Sequence, residues 1–205
     1  MKFFSSSSSR TALASVRAIA VLTLVLGMGY TTLITGIGQL ILPAQANGSM
    51  ITNQQGDTVG SALIGQAFTD QQGKPLPQYF QTRPSAAGDG YDGASSSGSN
   101  LGPENPELIE QIAQRKKNIA EFNSVPESQV PADALTASSS GLDPHISTHY
   151  AQIQQERVAT ARGLDIAKVR ALVEKYTKAP DLGYLGEPVV QVLELNLALD
   201  QIQRG

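Results

Sequence analysis

The chain has 205 residues, a formal net charge of −3 and no cysteine, so neither a disulfide nor a cysteine-ligated zinc holds it together. Tryptophan is absent and aromatic residues are few, which leaves an aliphatic core. The first 17 residues carry Lys2, Arg10 and Arg17 and no acid; the remainder carries 12 basic against 18 acidic groups, net −6, which argues against a nucleic-acid partner.

The Ser5–Ser9 run reads as a flexible tail with little structure. Ala18–Leu42 follows as an uncharged, mostly apolar run. As a helix it rises roughly 37 Å, enough for a hydrocarbon core of roughly 30 Å. The basic residues before it, and the lack of any charge after it until Asp57, orient the tail to the cytoplasm and the rest outside. A cleaved secretory signal is the rival reading, because Ala44-Gln45-Ala46 has the A-x-A form. The apolar run exceeds the usual 7–15 residues of a signal, which favours a retained anchor. Gly27, Gly29, Gly36 and Gly38 allow another helix to approach closely, and Gln39 adds a polar group for helix packing. The expected organisation is a cytoplasmic tail over 1–17, a transmembrane helix over 18–42 and an extracytoplasmic domain over 43–205. The last is about 160 residues, enough for one domain with a real core.

Within that domain, residues 48–70 suggest short strands with a hairpin around Asn53–Asp57. Gln71–Gln78 is a Gly- and Pro-containing loop, and Tyr79–Pro84 reads as a brief strand stopped by the proline. Gly88–Gly102 (GDGYDGASSSGSNLG) has the composition of a flexible loop, with Tyr91 and Leu101 as docking side chains. Asn105-Pro106-Glu107 starts a helix whose apolar stripe is Leu108, Ile109, Ile112, Ile119 and Phe122, with Arg115, Lys116 and Lys117 exposed. A linker over Val125–Pro131, a short helix over Ala132–Ala137 and a turn-rich Ser138–Pro144 follow. Two helices come next, Ser147–Arg162 stopped by Gly163 and one capped by Asp165, joined by so few residues that an antiparallel or sharply angled pair is favoured. Val189–Val192 has β character and passes into a terminal helix. The fold class is α+β: one N-terminal transmembrane helix followed by a single mixed α/β extracytoplasmic domain.

Chemistry-bearing residues are sparse. His145 and His149 at i, i+4 share one face of a helix if that segment is helical and then suit a metal, with Asp143 as a third ligand; the plainer reading is a turn bonded by Asp143 and a helix capped by Ser147. Ser139 or Ser140 with His145 and Asp143 makes a hydrolase guess, but no G-x-S-x-G elbow is present. Ser95–Gly102 lacks the spacing and lysine of a phosphate loop, and Asp89 with Asp92 lacks the ligand spacing of a calcium loop.

Taken together, several segments in order resemble one family, the C subunit of the Kdp potassium-transporting P-type ATPase. They are Tyr30–Gln45, Gly60–Gln66, Phe80–Gly102, Asn105–Leu108, Val130–Ile146, Arg157–Leu164 and Leu185–Asp200. The chain departs from the family pattern at Gln71–Gln78, which looks longer, at Gln191, where Asn is usual, and at Thr148-His149. The resemblance implies a single-pass, non-catalytic accessory subunit of an ATP-driven K⁺ import pump in the cell membrane. Its implied partners are a channel-like K⁺-translocating subunit, a P-type ATPase subunit and a small membrane subunit. The resemblance also implies a catalytic chaperone that raises ATP affinity. ATP association is implied by that resemblance alone; no cofactor is assigned from the residues, and the domain faces away from the nucleotide pool. Membrane-helix packing is expected at Gly27, Gly29, Gly36, Gly38 and Gln39. Docking on a partner is expected at Arg83, Asp89, Tyr91, Asp92, Ser97, Asn100, Asp143 and His145. The alternative is a membrane-anchored hydrolase or metal-binding protein that uses His145 and His149.

Overall fold

A computed structural model describes residues 6–202, and these divide into two units, the first ending at Ser49 and the second, the head, beginning at Met50. In the first, α1 (Ser6–Leu22), a π-helical stretch (Thr23–Tyr30) and α2 (Thr31–Ile41) follow without a break. Ser8–Ile41 is long and apolar enough to cross a membrane. The helix therefore starts well before Ala18, and Ser6–Ser9 belong to it; Lys2 and Ser5 lie outside the described residues. Once the apolar run supplies the helical nucleus, extension by one residue costs little, even through serines. Gly27 and Gly29 fall in the π-helical stretch, and Gly36 and Gly38 in α2. A short α3 (Pro43–Ala46) follows. Gln39 bonds within the chain: its amide exchanges hydrogen bonds of 3.3 and 3.0 Å with the amide of Asn47.

The head opens with the expected hairpin. β1 (Met50–Thr52) and β2 (Thr58–Ser61) pair antiparallel, and Asn53 Oδ1 accepts from the backbone N–H groups of Gln55 and Asp57 to close the turn. A long irregular stretch leads to α4 (Pro106–Asn123), which Asn105 caps by accepting from Glu107 N. Two 3₁₀ turns (Glu127–Gln129 and Ala132–Ala134) replace the linker and the short helix. β3 (His145–Ser147) runs into α5 (Thr148–Arg162), capped by Ser147 and ended by Gly163 at φ +63°. α6 (Ile166–Lys175), capped by Asp165, leads to β4 (Thr177–Lys178); β5 (Val189–Gln191) passes into α7 (Val192–Ile202). The second sheet has the order β3-β5-β4, all antiparallel. α5 is the hub. It packs on α4, α6 and β3, and it buries Tyr150, Ile153 and Val158 with Val169, Val190, Leu195 and Leu199 from its neighbours.

Three expectations change. Ile109 is exposed, so the buried stripe of α4 begins later. Arg115 is half-buried and donates to Leu135 O (2.9 Å), because a guanidinium best satisfies the carbonyl left open by the 3₁₀ turn. Tyr79–Pro84 is not a strand. Phe80 is fully buried, yet no neighbouring strand among the described residues pairs with it. Side-chain amides take the place of a ladder. Asn196 Oδ1 accepts from Phe80 N (2.9 Å) and Asn196 Nδ2 donates to Phe80 O (3.0 Å). Gln154 does the same for Gln81, at 2.7 and 3.1 Å. The departures from the family pattern stay local. Asp70 closes the Gln71–Gln78 loop by accepting from Gln72 N and Lys74 N, and buried Gln191 donates to Ala62 O.

Asn196→Leu keeps the volume and removes both bonds to Phe80. Stranding a buried N–H and C=O costs about 2–5 kcal/mol, a large part of the stability of a typical domain. The urea midpoint of the full-length, detergent-solubilised chain, followed by circular dichroism, is expected to fall accordingly. Gln152→Leu on the exposed side of α5 is expected to stay within about 0.5 kcal/mol of the parent chain.

Candidate functional site

Of the residues expected to dock on a partner, Arg83, Tyr91, Asp143 and His145 come together in one bonded cluster, with Ser97 bonded beside it to Ser140, and the cluster is built on Arg83. The guanidinium pairs with Asp143 (Nη1 to Oδ2, 2.9 Å) and donates to Thr136 O, with both side chains about three-quarters buried. Asp143 Oδ1 accepts from His145 N (3.0 Å), and His145 Nδ1 lies 3.5 Å from the same oxygen. Burial acts to raise the Asp143 pKa, but the His145 hydrogen bonds and Arg83 outweigh it and bring the carboxyl below its ordinary 3.8.

Ser85 organises the loop that follows. Its hydroxyl donates to Gly141 O (2.6 Å) and accepts from Ala87 N and Tyr91 N. Tyr91 turns back into the head, where its OH donates to Arg83 O (2.6 Å), and burial pushes that phenol up to about 12. The serine runs then meet: Ser97 N and Ser96 Oγ both donate to Ser140 O at 3.0 Å. Gly141 must be glycine twice over. Its φ is +68°, and a Cβ there would lie 2.6 Å from Ser97 O. Gly65 allows equal closeness, since a Cβ would come within 2.5 Å of Tyr91 Cε1 and 2.6 Å of Asp143 O. Gly88–Gly102 therefore folds as a braced surface whose exposed tip carries Asp89, Asp92, Ser97 and Asn100. Asp92 is engaged in its own turn, accepting from Ala94 N and Ser95 Oγ, and these bonds hold its carboxyl below the ordinary value. Leu63, Arg83, Ser138–Ser140 and Asp143 line a shallow groove beside this face.

The geometry overturns the histidine readings. His145 lies in β3 and His149 is exposed in the first turn of α5, so they do not share a helical face. His145 Nε2 is buried with no hydrogen-bond partner among the described residues, so neither Ser139 nor Ser140 has an imidazole base there. The plainer reading holds: Asp143 bonds the turn, and Ser147 Oγ caps α5 by accepting from Tyr150 N (2.9 Å). Ser85, Gly65, Thr136 and Gly141 escaped the sequence reading. They act through backbone contacts between segments distant in sequence, and only the density of Gly and Ser hinted at them.

The pattern of the family described as KdpC, the K⁺-transporting ATPase c chain, matches residues 12–201. The chain belongs to this family. A potassium-transporting ATPase KdpC subunit of Beijerinckia indica is 49% identical over 184 residues, 89% of each chain. That of Mycobacterium tuberculosis is 46% identical over 94% of this chain and 99% of the relative, and that of Rhodospirillum rubrum is 48% identical over 94% and 96%. Within the KdpC match lie the apolar helix, the Arg83–Asp143 face and α7.

Two measurements check this face. Gly65→Ala is expected to force Tyr91 off its seat and speed hydrogen exchange of the Tyr91 and Ser97 amides by about tenfold or more, while α6 amides keep their rates. Asp143 also sets a pH dependence. Its folded pKa is depressed, so its stabilisation is complete above the unfolded value of 3.8 and declines as pH falls below that toward the folded value. Urea midpoints between pH 5 and pH 3 are expected to fall less for Asp143→Asn than for the parent chain.

Proposed function

We propose that this chain is the non-catalytic accessory subunit of an ATP-driven K⁺ import pump. In this reading α1–α2 holds it in the cell membrane as a single pass, with the N-terminus in the cytoplasm and residues 43–205 outside. The observation that carries the reading is the extent of the family match, which takes in both the apolar helix and the folded head. Names shared by the relatives supply the transported ion and the ATPase. A channel-like K⁺-translocating subunit takes the Gly88–Gly102 and Ala137–His145 face, and ATP hydrolysis lies on a P-type partner; a small membrane subunit completes the set. The chaperone role, raising the pump's ATP affinity, works through helix packing. Gly27, Gly29 and Gly36 leave backbone open to a neighbouring helix, so packing there favours one pump conformation over another. Gln39 is engaged with Asn47 and contributes less.

Purification of the tagged chain from solubilised membranes tests this directly. The channel-like, P-type and small subunits are expected to come with it. Asp89→Lys with Ser97→Lys, both at exposed positions, is expected to cut their recovery by about tenfold and to slow growth at limiting K⁺, with the chain's own Tm unchanged. Absence of all pump subunits from the parent preparation overturns the reading. Full recovery with the doubly substituted chain overturns the assigned face.

A further inference from the structure

One connection in the head is apolar where water should be. Between β4 and β5 the chain turns through Asp181–Gly186, and Leu182 and Tyr184 are 81% and 74% exposed, more than any other large apolar side chain among the described residues of the head; Leu185 is 51% exposed. The turn is closed by its own backbone: Asp181 N donates to Leu185 O (3.0 Å), Leu185 N to Asp181 O (2.9 Å) and Gly183 N to Pro180 O (3.0 Å). Leu182 sits at φ +54°, a left-handed conformation that suits glycine or asparagine and strains leucine. The strain presents the side chain to solvent, where it gives the isolated fold nothing. A preformed apolar tip of this kind fits a socket.

Charge separates the two classes of socket. A tip that enters an anionic bilayer is helped by flanking Lys or Arg. Here the exposed flanks are Asp181 and Glu187 on the turn and a single Lys178 at the end of β4, so the surroundings of the tip are net acidic rather than basic. We propose that Leu182, Tyr184 and Leu185 form a plug that seats in an apolar, basic-rimmed socket on a partner subunit. This contact is additional to the Gly88–Gly102 face, and it rests on the reading that the chain works within a pump complex.

The cysteine-free chain makes the test direct. Tyr184→Cys supplies a single thiol, whose labelling by a maleimide is followed in the purified complex, in the solubilised chain alone, and in the chain alone within phosphatidylethanolamine–phosphatidylglycerol vesicles. Labelling is expected to be at least about tenfold slower in the complex and equally fast in the other two. Equal labelling in all three overturns the plug, and protection by vesicles alone overturns it in favour of lipid. Leu182→Gly removes the side chain and the strain together. It is expected to leave the Tm of the chain unchanged or higher while lowering recovery of the pump subunits by about fivefold or more; unchanged recovery overturns the plug. A parent preparation that brings down no pump subunit defeats the complex itself, whereas a complex that forms with the introduced thiol fully reactive defeats only the plug.

Discussion

An extended segment without a strand partner governs the architecture of the head. From Gln78 to Arg83 the backbone runs half-buried on either side of the fully buried Phe80, and side chains from α5 and α7 satisfy most of it group by group. Arg162 Nε donates to Gln78 O and Arg157 Nη1 to Tyr79 O; Asn196 clasps Phe80, Gln154 clasps Gln81, and Thr82 Oγ1 donates to Gln66 O. The donors to residues 78–81 come from α5 and α7, so the segment rivets the two helices together. The cost is that both arginines lose water. Burial pulls the Arg157 guanidinium down to about 10, which still leaves it charged at neutral pH, with Phe122 stacked 4.3 Å beneath it. Arg162 is offset by Asp200 at 2.8 Å, and Asp200 in turn accepts from Tyr79 OH.

The Gly88–Gly102 loop inherits its order from this segment. Gly88–Gly102 has almost no apolar surface to bury, and burial alone would not repay the entropy of fixing it. Order comes from both ends: Arg83 fixes the start through Asp143, and Ser85 and Tyr91 fold the chain back before the serine runs meet. The glycines are part of this mechanism, because close approach at Gly65 and Gly141 leaves no room for a side chain. A face ordered in advance loses less entropy on association than a loop that must fold against its partner.

Local chemistry made much of the fold readable. Asn105, Ser147 and Asp165 cap their helices as their spacing indicated, Gly163 ends α5, and the Asn53–Asp57 turn closes a hairpin. Two of the misreadings, at Tyr79–Arg83 and at Arg115, share one cause, polar side chains recruited from elsewhere along the chain. Tyr79–Arg83 has strand composition, but its partners are amides more than 70 residues away. α5 has a weak apolar stripe because Gln154 and Arg162 lie on its buried side, and Arg115 points inward to a carbonyl that no spacing reveals. The one available signal was Gln154 and Asn196, polar residues where apolar periodicity calls for aliphatic ones. The residues proposed to dock rest on composition and resemblance, whereas the brace behind them, Ser85 with Gly65 and Gly141, has no sequence period to betray it.

In the proposed reading, the two exposed features of the head divide the work of recognition by their chemistry. The Gly88–Gly102 face offers oriented backbone groups, hydroxyls and acids, which choose a partner and its register while adding little net affinity once their hydration is lost. The Leu182–Leu185 tip offers the opposite: few directional groups and a large apolar area, which adds affinity but discriminates poorly. Either alone makes a poor clamp. A polar face without an anchor dissociates quickly, and an apolar tip without a polar register invites wrong partners and aggregation. Held on one folded head the two would combine, because seating one leaves the other at high effective concentration over its own proposed site. That arrangement needs a scaffold that keeps the two in register, and the bonds of Gln78–Gln81 to α5 and α7 supply one such tie across the head.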